Sequence, residues 1–256
     1  MRRLVFEEPF SGAAVASRRL AAFALAVAAI GVFASRAGLD PPAAFAVLGG
    51  SIGFALAAVV CALAGLVVVW RTGRRGAGRA GTGLVLAALL LAYPAYMLAR
   101  AAQGPRLTDL STDLADPPAF SFSRAAYAAR GAPPPTPPAS ARAEQAKAYP
   151  KILPMLLDLD ADDAFAALRR AVKSAGWKVV EAVPPGGRMG LGHIEAIAAS
   201  PILGLPSYVT VRLRPVVEQS RVDVRSASRF GPIDFGVNAR NIAAFETALE
   251  AAVDHK

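Results

Sequence analysis

The sequence predicts two architectures in one chain: three transmembrane α-helices at the N-terminus, then an α+β two-layer sandwich, a mostly antiparallel five-stranded sheet with two helices on one face. Three observations carry this. Residues 20–99 form apolar runs dominated by Ala, Leu, Val, Gly and Phe, whereas the remainder has ordinary globular polarity. From residue 149 the periodicity switches in the order β-α-β-β-β-β-α. Two of the β-like stretches alternate between apolar and polar residues, the mark of a sheet with one buried face.

The 256 residues leave room for one membrane region and one modest domain. Charge divides unevenly: through Ala99 nine Lys/Arg stand against three acids, and from Arg100 nineteen stand against sixteen. Most of the basicity is therefore arginine flanking apolar runs, which argues against nucleic acid as a partner. The single cysteine, Cys61, lies inside an apolar run, so the domain has no intramolecular disulfide to rely on.

Residues 1–19 read as a cytoplasmic arm carrying Arg2, Arg3, Arg18 and Arg19. A bilayer core about 30 Å thick takes roughly 20 apolar residues of helix. The spans predicted are 20–39, 43–70 and 81–99, with Pro94 in the third and Trp70, Tyr93 and Tyr96 suited to interfacial belts. The loop after the second span holds Arg71, Arg74, Arg75 and Arg79, while the first loop has Arg36 alone beside Asp40. Positive-inside counting puts the N-terminus and the second loop in the cytoplasm and the C-terminal domain outside, across the cytoplasmic (inner) membrane. The first run also fits a cleaved signal peptide with Val32-Phe33-Ala34 at its cleavage site, and that reading leaves the domain on the same side. Gly49, Gly50 and Gly53 suit close helix approach, read as packing among the three helices of one chain rather than as a dimer face. The second and third spans hold no ionisable group at depth, which argues against an autonomous transporter.

Residues 100–148 read as a Pro-rich linker with an LTDLSTD segment, and Pro133-Pro134-Pro135 and Pro137-Pro138 as polyproline II spacer. Asp109, Asp113 and Asp116 lack the spacing and the central Gly of a calcium loop, so turn ordering is their expected use. The soluble domain, 149–256, then opens with a strand at 152–159. Asp160 caps a helix whose apolar stripe is Phe165, Leu168 and Val172, and Gly176 ends it. Strands follow at 177–183, 189–198, 208–216 and 221–228, with a Pro184-Pro185-Gly186-Gly187 turn after the first. Asp234 caps a last helix, 235–253, striped by Ile242, Phe245 and Leu249. Arg212, Arg214, Arg221, Asp223 and Arg225 fall on the polar face of the sheet, read as solvated.

These residues resemble the bacterial and plastid family grouped as domain of unknown function 1499. The resemblance is carried by residues 220–229 (SRVDVRSASR) with Gly231, Asp234, Gly236, Asn238, Arg240 and Ile242, by residues 107–120 (LTDLSTDLADPPAF) and by Tyr149-Pro150. It covers roughly 107–249 and implies a membrane-anchored arrangement, with no activity attached. At 201–208 the chain departs from the family, with Ser207-Tyr208 where acidic residues are usual.

One polar constellation stands out: Arg225, Ser226, Ser228, Arg229, Asp234, Asn238 and Arg240, spanning the last strand, a Gly231-Pro232 turn and the last helix start. It is the candidate site for an anion or polar ligand. Its competing use is structural, with Asp234 as cap, Arg225 or Arg229 paired to it, and Asn238 holding the loop. His193 and Glu195 share a strand face, but with only His255 elsewhere no metal site assembles, and no cofactor is expected. No G-x-S-x-G, P-loop or dinucleotide fingerprint occurs. The expected function is thus a non-enzymatic binding or interaction module of the cell envelope. Its expected partners are the lipid bilayer and other membrane or envelope proteins. One alternative is an enzyme acting on an anionic envelope lipid or small molecule through Arg225, Ser228, Arg229 and Asp234. The other is an accessory subunit of a membrane complex.

Overall fold

The computed structural model describes residues 8–186, 190–231 and 234–254, in two compact units, Met1–Ala102 and Gln103–Lys256. Arg2, Arg3, Gly187, Met189, Pro232 and His255, named above, lie outside the described residues.

The first unit is three helices, α1 (Gly12–Arg36), α2 (Pro41–Thr72) and α3 (Ala77–Gln103), each long and apolar enough to cross a membrane. All three are longer than the spans read from the sequence. At 1.5 Å per residue α2 reaches about 48 Å, so its ends extend beyond a hydrocarbon core. α1 begins at its Ser11 cap and carries Arg18 and Arg19 within it, not before it. Phe23, Ile30, Leu56, Leu63 and Leu89 are exposed on the outside of the unit, an apolar exterior that suits lipid.

Small residues bring the helices together. Ala21 and Ala24 of α1, Ala55 and Ala58 of α2 and Ala87 of α3 form one buried cluster. A β-carbon at Gly65 would lie 2.7 Å from the Ala14 backbone nitrogen, and one at Gly83 would lie 2.8 Å from the Ser17 carbonyl carbon. These glycines are therefore what permits the approach. The expectation for Gly49, Gly50 and Gly53 is corrected: a β-carbon at any of them would meet nothing within 4 Å. The contact face of α2 runs through Ser51, Ala55 and Ala58. Gly53, two residues from Ser51 and from Ala55, points roughly 160° away from it.

The second unit is an antiparallel sheet of six strands, one more than the sequence suggested: β1 (Asp109–Ser111), β2 (Met155–Leu157), β3 (Lys178–Val183), β4 (Gly192–Ala199), β5 (Pro206–Val216) and β6 (Gln219–Ser228). The order is β1-β6-β5-β4-β3, and β2 pairs with β6 beside β1, along the same edge. The strand expected at 152–159 is only three residues long, because Pro154 offers no N–H to the ladder and Asp160 already caps the next helix. β3 carries a bulge between Val179 and Glu181.

Between these strands lie α4 (Arg124–Arg130), α5 (Ala139–Ala148), α6 (Ala161–Ser174) and α7 (Val237–Asp254). α6 and α7 pack side by side on one face, as the two stripes predict. Leu168, Val172, Phe245 and Leu249 meet Ile194, Val209, Val211, Val222 and Val224 in a single core. Asp160 Oδ1 accepts from the Asp163 N–H at 2.8 Å, and Gly176, at φ 71°, takes the left-handed turn that ends α6. Gly192 lies where a β-carbon would come 3.1 Å from the Phe165 ring, so its lack of a side chain seats α6 on the sheet.

The segment read as a spacer is part of the domain. It supplies β1, α4 and α5, and its residues 112–138 run as a strap over the face of the sheet opposite α6 and α7. Thr112 is bonded in both directions to Val224, and Phe120 is buried with Tyr208 and Ala227.

Candidate functional site

The predicted polar constellation is divided by the sheet. Side chains alternate across a strand, so Ser226 and Ser228 face α7 while Arg225 faces the strap. On the α7 side the groups satisfy one another. Asn238 Nδ2 donates to Thr108 O at 2.8 Å and to Ser228 Oγ at 2.9 Å, and Ser226 Oγ donates to Asn238 Oδ1 at 2.8 Å. Asp234 accepts from the Gly236 N–H at 2.8 Å and the Asn238 N–H at 2.9 Å, which occupies the α7 N-terminus with its own carboxylate. Arg229 and Arg240 are exposed; the Arg229 guanidinium lies 5.0 Å from the Phe230 ring centroid.

The other face corrects the expectation of a solvated surface. Five arginines there meet five carboxylates, one of those ten residues supplied by β1, three by the strap and six by strands β4–β6. Asp223 is fully buried; its carboxylate accepts from Arg214 at 2.7 Å, Arg212 at 3.0 Å and Arg221 at 2.9 Å. Asp113 takes Arg214 at 2.6 Å and Arg221 at 2.8 Å, and Asp116 takes Arg212 at 2.9 Å. The aspartates weighed as turn residues thus have a second use, as counter-ions to the sheet.

Arg225 grips Asp109 at 2.7 and 3.0 Å and also donates to Pro135 O at 2.7 Å and Pro118 O at 3.3 Å. Further along, Glu195 (1% exposed) pairs with Arg130 (5% exposed) and accepts from the Ser121 N–H at 2.7 Å. Arg130 Nη2 also donates to Ser121 O, and Tyr208 Oη donates to Arg130 O at 3.1 Å. Tyr208 therefore anchors the end of α4. His193 Nε2 is 3.8 Å from Glu195, and among the described residues no group of three His, Cys, Asp or Glu could hold a metal ion.

Sequence reasoning weighed Glu195 only beside His193 and missed its pairing with Arg130, because the two lie far apart in the chain and share no motif. A second feature it missed is a cavity of about 450 Å³ beside β3 on the α6 side, lined by Arg169, Lys173, Trp177, Val179, Ala182 and Ile194. Its signal was present: two cations four residues apart on α6 with no acid at helical spacing.

The network makes the domain acid-sensitive. Burial raises the Asp113 carboxyl, but the Asp116 backbone N–H and the Arg214 and Arg221 guanidinium groups together hold it below its ordinary 3.8. Burial likewise raises Glu195, and the bonds from His193, Arg130 and the Ser121 backbone bring it below its ordinary 4.5. A lowered folded value means the contribution is complete above the ordinary range and is lost as pH falls through the folded value. Asp109 acts oppositely: burial, against the pull of Arg225, pushes it up from 3.8, so its share shrinks as pH rises through the raised value. The expected result is a decline in stability below about pH 4, as Asp113 and Glu195 take up protons, followed by urea unfolding at each pH. Stability that stays flat down to pH 3 would contradict this.

Taken together, the features describe a membrane-anchored α+β domain whose polar sheet face is closed by its own strap. The chain belongs to the family described as "Protein of unknown function (DUF1499)", whose model matches residues 109–249. That span begins with β1 and ends in α7, so the strap is part of the family's domain. No curated protein and no solved structure matches the chain.

Proposed function

We propose that the protein is a non-enzymatic binding module of the cell envelope, anchored by α1–α3 in the cytoplasmic membrane with its domain on the outer side. One observation carries the orientation. The start of α1 and the α2–α3 turn meet at one end of the helical unit: the Ser11 N–H donates to Arg75 O at 2.8 Å, and the Arg79 guanidinium lies 3.5 Å from the Phe10 ring centroid. That end gathers Arg71, Arg74, Arg75 and Arg79, whereas the α1–α2 turn has Arg36. Arginine-rich short loops stay in the cytoplasm, and three spans then carry the C-terminus across.

The non-enzymatic part of the reading is supported by the structural use that five of the seven constellation residues have. Asp234 caps α7, Asn238, Ser226 and Ser228 bond one another, and Arg225 holds β1 and the strap. The partners this reading implies are the bilayer and other envelope proteins, reached by the surface of a rigid domain.

Paired fusions after Lys256 test the compartment. Alkaline phosphatase is expected to be active and green fluorescent protein dark; the reverse pattern would place the domain in the cytosol and end the envelope reading.

A further inference from the structure

We propose that the cavity between α6 and β3 binds the phosphate headgroup and the first part of the acyl chain of an anionic phospholipid. The inference deepens the binding-module reading and rests on it for access to lipid.

The cavity follows from how the layers are sized. Two helices side by side cover about 20 Å, and five strands at about 4.8 Å spacing spread wider than that. α7 lies toward β6 and β1, so the uncovered margin falls at β3, on the far edge of the sheet. Val179 pairs with Ala196 and Ala182 with Ile194, which puts Val179 and Ala182 on the helix-facing side of that margin. Trp177 forms the inner wall, its indole held parallel to the Phe245 ring at 5.7 Å between centroids. Val179 is still 46% exposed, so an apolar floor opens outward.

Charge sits on the rim. Arg169 and Lys173 are exposed and one turn apart on α6, a like-charge spacing that weakens a helix. Among the described residues neither has an ion-pair partner, in contrast to the five paired arginines of the opposite face. The α6 terminus does not require both of them. Ala171 O accepts from the Ala175 N–H, Val172 O from Trp177 and Lys173 O from Gly176, so its last carbonyls are already satisfied by backbone. An arginine and a lysine beside a half-open apolar cavity of about 450 Å³ match an anionic head joined to an alkyl chain. Three membrane-length helices in the same chain keep the domain beside a reservoir of such lipids.

The test uses the full chain in maltoside detergent with Trp70→Phe, so that Trp177 is the only indole. Dihexanoyl phosphatidic acid, below its micelle concentration, is titrated against Trp177 fluorescence. A saturable change is expected, with at least tenfold weaker response to dihexanoyl phosphatidylcholine, which lacks net charge, and to inorganic phosphate, which lacks the chain. Arg169→Gln with Lys173→Gln should raise Kd at least tenfold with the thermal midpoint unchanged, and Ala182→Phe should block binding by filling the floor. Equal affinity for the choline lipid, equal affinity for phosphate alone, or an unaffected double variant would each overturn the proposal. Failure is separable from that of the envelope reading. Binding with a cytosolic reporter removes the compartment and keeps the site, while no binding with an exported reporter removes the site alone.

Discussion

Replacing Arg225 by methionine is expected to cost about 3–5 kcal/mol of domain stability, the range found when one partner of a buried ion pair is removed. The side chain is 3% exposed and spans three separate pieces of chain: Asp109 in β1, and the Pro118 and Pro135 carbonyls of the strap. Methionine keeps the length of the stem and leaves a buried carboxylate and two carbonyls without their donor. The strap should loosen first, so limited proteolysis between residues 118 and 138 should accelerate before global unfolding is reached. Arg229→Ala serves as the comparison. Arg229 is exposed, and its truncation should change stability by no more than about 0.5 kcal/mol. Urea unfolding of the full chain in detergent, followed at Trp177, measures both. If Arg225→Met unfolds like Arg229→Ala, Arg225 is not a structural clamp, and its place in a ligand site would reopen.

Asp223 looks at first like a more vulnerable position, since three arginines converge on it. Two facts reduce the expected effect. Arg212, Arg214 and Arg221 keep side-chain exposures of 14%, 29% and 33%, so each can turn toward water when its partner is lost. Asp113 and Asp116 also remain as counter-ions. Redundant, partly solvated charge tolerates a deletion that an isolated buried pair does not.

The parts of this fold that were legible in the sequence are those set by local periodicity. The stripes of α6 and α7, the Asp160 cap, the Gly176 stop and the alternation of β5 and β6 all follow from which residues share a face. What covers the second face was not legible, because a polar row reads the same whether water or a polar strap lies against it. Arg212 and Arg225 alternate with valines in either case. The proline-rich composition also misled, for a physical reason. Prolines bring carbonyls without N–H groups, so a segment of them can lie against buried arginines, accept from them at Pro118 and Pro135, and strand no donor of its own. The division of the polar constellation has the same cause. Listing Arg225 with Ser226 and Asn238 joined neighbours in sequence that the pleat turns to opposite faces.

The second large effect is expected at Arg130 and Glu195, and here a double substitution separates two explanations. Arg130→Met leaves Glu195 almost fully buried with only the Ser121 N–H and His193 near it, and the loss should again be about 3–5 kcal/mol. Glu195→Met strands the guanidinium instead, although Arg130 still has Ser121 O and Gly131 O to donate to, so the loss should be the smaller of the two. If the pair acts as a unit, adding Glu195→Met to Arg130→Met removes the orphaned charge and restores much of what the first change cost. The double variant is then more stable than Arg130→Met alone. The same urea unfolding at Trp177 reads all three. Losses that simply add would mean that Arg130 acts through the α4 backbone, where Tyr208 Oη reaches its carbonyl, and not through the carboxylate. Recovery in the double variant carries a further meaning. A pair that methionines can replace supplies little net stability. Its use is then to fix where the strap lies, since Glu195 is the one sheet carboxylate that takes both the α4 arginine and the Ser121 backbone.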